Sequence, residues 1–107
     1  MKPEARDGLK NLVSAVDYFV KQHPSFSEVT LKMFGIICAE PDIWQGDLTN
    51  RHGFARNTVS NHLKWLVACG LVRSQPAKHH ANAFEWRVTT AGEAVAEKMA
   101  EIAGGAR

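Results

Sequence analysis

A chain of 107 residues supports one hydrophobic core and is too short for two. Its apolar content of 45% is that of an ordinary folded protein, and its longest apolar stretch, Phe34 to Ala39 with Gly35 inside it, falls far short of the roughly 20 residues a membrane span needs. The overall charge of +2 conceals a division: residues 1–50 carry five cations against seven carboxylates, whereas residues 51–87 set Arg51, Arg56, Lys64, Arg73, Lys78 and Arg87 against Glu85 alone, a net +5 that also includes four of the five histidines.

The N-terminal M-K-P-E-A-R-D-G alternates charges with no apolar stretch behind it, so no signal peptide is expected and the protein is assigned to the cytoplasm. Cys38 and Cys69 have no C-x-x-C spacing and read as reduced thiols on apolar helix faces. Pro3 suits the first turn of a helix, and Leu9, Leu12, Val13, Val16 and Phe19 or Val20 recur at helical spacing, which predicts a helix from about Pro3 to Gln22. His23-Pro24 ends it. Its apolar stripe is expected either to pack on the core or to pair with the same helix of a second subunit.

A second helix follows, opened by a Ser25/Glu28 capping box with Ser27 as the competing cap, and lined on its inner face by Val29, Met33, Phe34, Ile36 and Ile37. Glu40-Pro41-Asp42 breaks it. A short third helix is predicted over Trp44–Arg51 with Ile43 and Leu48 inward, and His52-Gly53 supplies the reversal before the next helix. Between Phe54 and Val72, the residues Val59, Leu63, Leu66 and Val67 form one buried stripe. Arg56, Asn57, Thr58, Ser60, Asn61 and Lys64 then point outward. They are hydrogen-bonding side chains and cations without a carboxylate, a composition that suits an anionic groove rich in donors and acceptors. Ala55 precedes this helix where a polar cap is usual.

Past Gly70 the periodicity changes. Leu71–Arg73 reads as a strand, Ser74–Asn82 as a polar loop, and Ala83–Thr89 as a second strand with Phe84, Trp86 and Val88 alternating against Glu85 and Arg87. The loop carries Lys78, His79, His80 and Asn82, side chains suited to phosphate or the minor groove. Thr90 and Glu93 read as a capping box for a last helix with Ala91, Ala94, Val95, Met99 and Ile102 on one face, closed by Gly104-Gly105.

A short helix, a glycine turn and a polar-faced helix followed by a hairpin form a helix-turn-helix with a wing. The expected fold is mainly α with a small β-hairpin, in one domain over residues 1–107: an N-terminal helix over 1–24, the helix-turn-helix and wing over 27–89, and a C-terminal helix over 90–103. Within it Asp47-Leu48-Thr49, Thr58-Val59-Ser60, Leu66 with Gly70-Leu71-Val72, and Thr89-Thr90-Ala91-Gly92 resemble the corresponding motifs of MarR-like transcriptional regulators. The resemblance covers about residues 27–98. It implies sequence-directed binding to double-stranded DNA as a homodimer joined through the N- and C-terminal helices, with the helix residues above in the major groove and the Lys78 loop as wing. The chain lacks the Asp-x-Arg with which such regulators often anchor the wing, and it is short for the family.

The leading expectation is therefore a transcriptional regulator, a repressor acting on a palindromic operator. The alternative is a winged-helix protein-interaction module with weak or no DNA binding, for which an exposed Trp65 would serve as anchor. No cofactor is expected and no residue pattern indicates a small-molecule effector. Cys38, His62, Cys69, His79 and His80 lack metal-ligand spacing, and no catalytic set points to an enzyme.

Overall fold

The computed structural model describes residues 1–77 and 83–104. Helix α1 spans Pro3–Gln22, α2 Glu28–Ala39, α3 Gln45–Asn50, α4 Arg56–Ala68 and α5 Thr90–Ala103, with strands β1 (Ile43–Trp44), β2 (Val72–Pro76) and β3 (Phe84–Val88). The strands form one antiparallel sheet in the order β1-β3-β2. The expected hairpin is thus present with a third strand beside it. Ile43, expected to face inward beside a helix, and Trp44, expected as that helix's first residue, instead pair with Trp86 and Glu85. Two residues are too few to show a period, so nothing local betrays this strand.

The core is assembled where α2, α4 and the sheet meet. Met33, Phe34 and Ile37 of α2, Val59, Leu63 and Leu66 of α4, Leu48 of α3, and Ile43, Val72 and Trp86 of the sheet are buried together. Helix α1 reaches this core only through its C-terminal end, where Phe19 packs against Phe34, Phe26 and His23 with ring centroids 5.6, 6.0 and 5.2 Å away. Much of the rest of its apolar stripe is outside: Leu9, Leu12, Val13 and Val20 are 52%, 53%, 61% and 43% exposed, while Val16 is half-buried. The helix packs along α5, but of its side chains only Ala15 and Phe19 are fully buried.

Three local readings change with the fold. The cap of α2 is Ser27, whose Oγ accepts the Thr30 N–H while the Ser27 N–H donates to Thr30 Oγ1, so the Ser25/Glu28 box does not form. Ser25 instead belongs to the turn in which Phe26 N–H donates to His23 O, which tucks the Phe26 ring against Phe19. The cap of α5 is Thr89, not Thr90: its Oγ1 accepts the Gly92 N–H at 3.0 Å and donates to Gly70 O, and its own N–H donates to Leu71 O. That single residue joins the start of α5 to the end of α4. Gly92 completes the junction, since a Cβ there would lie 2.2 Å from Leu71 O and 2.5 Å from Val88 Cγ2. On α5 only Gly92 is buried; Val95, Met99 and Ile102 are half-buried, and Ala91 and Ala94 are exposed.

Candidate nucleic-acid interface

The unit that carries the candidate site runs from α3 through a five-residue turn into α4. The turn closes on backbone alone, with N–H groups of Arg51, His52, Gly53 and Phe54 donating to carbonyls of Asp47, Thr49 and Leu48. Gly53 sits at φ 78°, a left-handed conformation that a side chain would oppose, and it permits this sharp reversal. Glu40, at the end of α2, then clamps the turn from outside: its carboxylate accepts Arg51 Nη2 at 2.7 Å and faces His52 Nε2 at 2.8 Å. The Arg51 hydrogen bond, with that of His52, holds the Glu40 carboxyl below the usual carboxylate range. Arg51 also lies 3.7 Å from Asp47, whose carboxylate accepts the Trp44 N–H at the head of α3.

Helix α4 begins at Arg56 with Ala55 as its N-cap and no side-chain cap, so its first turn leaves backbone N–H groups facing outward. It ends with Gly70 and Leu71 N–H groups donating back to Val67 and Leu66 carbonyls. Val59, Leu63 and Leu66 hold its inner face. Val67, expected on the buried stripe, is 46% exposed because it borders the gap between α4 and the wing, where Lys64, Ala68 and Trp86 line an open hollow of about 380 Å³.

Of the six outward residues expected on this helix, Arg56, Asn57, Asn61 and Lys64 are exposed, and Thr58 and Ser60 are half-buried on its flanks. Among the described residues, no hydrogen bond or ion pair engages the side chain of any of the six. Arg56, Asn57 and Ser60 share an open concavity of about 450 Å³ with Gln45, Thr49 and Asn50 of α3, and no carboxylate lines it. None of these α3 residues is expected at the site from the sequence; their amide and hydroxyl side chains beside the α4 N-terminus enlarge the polar surface.

A separate contact fixes the other flank of α4. Thr30 is fully buried, and its Oγ1 lies 2.6 Å from His62 Nδ1. Thr30 Oγ1 also accepts the Ser27 N–H, so this contact ties the His62 ring to the start of α2. Burial lowers the His62 pKa and so favours the neutral ring. The ring meets Trp65 edge-on at 4.8 Å, and Trp65 remains 46% exposed, as its spacing suggests.

The structure also sorts the basic segment. Arg51 is matched by Glu40 and Asp47, and Arg87 by Asp42, all acids of the first 50 residues. The net +5 therefore overstates the free cation: Arg56 and Lys64 of α4 have no carboxylate in ion-pair range among the described residues. Lys78, His79, His80 and Asn82, the expected wing contacts, lie outside the described residues. Strand β2 is longer than expected and runs to Pro76, whereas β3, Phe84–Val88, is one residue shorter at each end than the expected Ala83–Thr89. Phe84, which shares the apolar alternation with Trp86 and Val88, is 49% exposed. Among the described residues no group of three His, Cys, Asp or Glu side chains is placed to hold a metal.

No protein-family model and no curated protein sequence matches the chain. Solved structures do. A transcriptional regulator from Thermotoga maritima superposes with a TM-score of 0.76 at 24% identity, covering 91% of this chain and 67% of its own. MarR from E. coli in its apo form gives 0.71 at 18%, covering 97% and 78%. A MarR transcriptional regulator from Methanosarcina mazei Go1 gives 0.68 at 18%, covering 94% and 69%. The chain has the MarR-like winged-helix fold.

Proposed function

We propose that this protein is a transcriptional regulator that binds double-stranded DNA through α4. The observation that carries the reading is the outer face of that helix. Arg56, Asn57, Asn61 and Lys64 stand exposed on it without internal partners and without a carboxylate among them. Side chains of this kind are bonded to water in the free protein, and a surface rich in phosphate, donors and acceptors, as the major groove is, can take the place of that water. Two of these structural neighbours, the Thermotoga maritima and Methanosarcina mazei proteins, are transcriptional regulators, which favours the same reading.

In this proposal Asn57, Asn61 and the flank hydroxyls of Thr58 and Ser60 read base edges. Arg56 and Lys64 neutralise phosphate, and Lys78, His79, His80 and Asn82 contact the adjacent backbone or minor groove from the wing. The protein acts as a homodimer joined through α1 and α5, since Leu9, Leu12, Val13 and Val20 of α1 are otherwise left in water, and its site on DNA is accordingly palindromic. Occupying an operator would make it a cytoplasmic repressor. A gel-shift series against genomic fragments with competitor DNA tests the reading. Sequence-preferring binding that depends on Arg56 and Asn61 is expected; binding without preference, or indifferent to both residues, overturns it.

Exposed Trp65 favours a second reading, a winged-helix module that docks a protein partner. A partner retained from extract after nuclease treatment, and lost with Trp65→Ala, would distinguish it.

A further inference from the structure

The hairpin needs an anchor, and the structure supplies one from outside it. Asp42 follows Pro41 in the loop between α2 and β1, and at φ 64° it is the one non-glycine residue in the left-handed region among those described. Its carboxylate takes both ends of the Arg87 guanidinium, Nε on Oδ1 and Nη2 on Oδ2 at 2.7 Å, and Oδ1 also accepts Gln75 Nε2 at 3.4 Å. Arg87 belongs to β3 and Gln75 to β2. One side chain therefore grips both strands of the wing from the segment that leads into β1 and α3.

The hairpin's own register gives a reason for this grip. Arg73 and Arg87 are directly opposed across β2 and β3, an arrangement in which like charges weaken a strand pair. Asp42 neutralises one of them with a two-pronged ion pair, the geometry that confers most direction on a guanidinium. Gln75, held by Asp42, in turn accepts Arg73 Nη1 at 3.3 Å. The chain Asp42, Gln75, Arg73 and the pair Asp42, Arg87 thus tie the two arginines to one fixed point.

We infer that Asp42 is a positioning residue that sets the angle of the wing relative to α4, so that helix and wing meet one DNA duplex together. The inference rests on the DNA-binding reading for its consequence but not for its geometry. Asp42→Asn tests it, because asparagine tolerates the left-handed backbone yet brings an amide against the Arg87 donors. Arg87→Met is the matching change from the other side.

Two measurements separate the inference from the reading it rests on. In the DNA-free protein with both cysteines changed to serine, spin labels at Asn57 and Ala77 should give one narrow distance. Asp42→Asn and Arg87→Met should each broaden or shift it while circular dichroism shows the helices retained. With sites selected by the wild-type protein, either change should weaken binding roughly tenfold and remove backbone protection at the flanks before the centre, with no further loss in the double variant. An unaltered distance distribution in both variants overturns the inference. If the distance broadens but the wild-type protein binds no DNA, the brace stands and the DNA-binding reading falls.

Discussion

Helices α1 and α4 are both amphipathic and both only half taken up by the domain, yet they leave opposite chemistry outside. Helix α1 buries Ala15 and Phe19 and exposes Leu9, Leu12, Val13 and Val20, so its outer face lowers its free energy only against another apolar surface. Helix α4 buries Val59, Leu63 and Leu66 and exposes cations and amides with no partner inside the protein. A hydrophobic stripe found by periodicity says that a helix is amphipathic. What lies on the faces left over decides whether the missing partner is another protein surface or a charged, hydrogen-bonding one.

The largest expected effect attacks the α1 side. Leu12→Glu with Val13→Glu should convert a dimer to a monomer in sedimentation equilibrium, since each apolar side chain removed from water contributes about 2 kcal/mol and symmetry counts it twice. The domain should keep its fold, because neither residue touches the core. A sequence-specific complex should weaken with it, as half-sites lose their covalent-like coupling. A double variant that stays dimeric removes α1 from the interface.

On the α4 side, Asn61→Ala should cost about 1–3 kcal/mol at the preferred DNA site and almost nothing on random DNA, measured by competition. Lys64→Ala should weaken both alike and lower the slope of log affinity against log salt by about one. If Asn61→Ala also weakens both alike, it contacts backbone and not bases. The identity of the base reader would then have to be sought among Asn57, Thr58 and Ser60.

A smaller effect concerns the start of α4. Ala55→Ser restores the missing cap and should stabilise the fold by about 1 kcal/mol in urea titration. An unchanged stability would mean that the first-turn N–H groups are already served by the geometry of the Gly53-Phe54 turn.

The least effect is a pH dependence. Burial lowers the His62 pKa from 6.5, so between the two values the unfolded chain holds a proton that the folded one does not. Stability is then full above pH 6.5 and declines as pH falls from there toward the folded value. His62→Gln should flatten that decline in thermal melts, leaving the share due to His23, whose pKa burial also lowers.

Much of this arrangement is legible in the sequence, because helices of this size announce themselves by period. The bounds of α1 are those read from Pro3 and His23-Pro24. The α3-turn-α4 unit follows from Gly53, and the uncapped Ala55 is found where it was expected. What escapes is whatever depends on contacts remote in sequence. Strand β1 is defined by its pairing with β3. Asp42 and Glu40 look like parts of a helix-breaking run until Arg87, 45 positions on, and Arg51, 11 positions on, are brought against them. The apparent lack of a wing anchor has the same origin: the hairpin does not contain its carboxylate because α2's following loop provides it. Val67 and Phe84 fit the apolar pattern but are exposed, so the pattern alone places them one layer too deep.

Selection of bound sites from random double-stranded DNA by the full chain tests the central claim most directly. An enriched inverted repeat is expected, its half-sites centred about one helical turn, roughly 34 Å, apart, with enrichment abolished by Asn61→Ala and by loss of the α1 contact. Recovery of no enriched sequence, or of a single unpaired site bound equally well by the α1 variant, would contradict the claim.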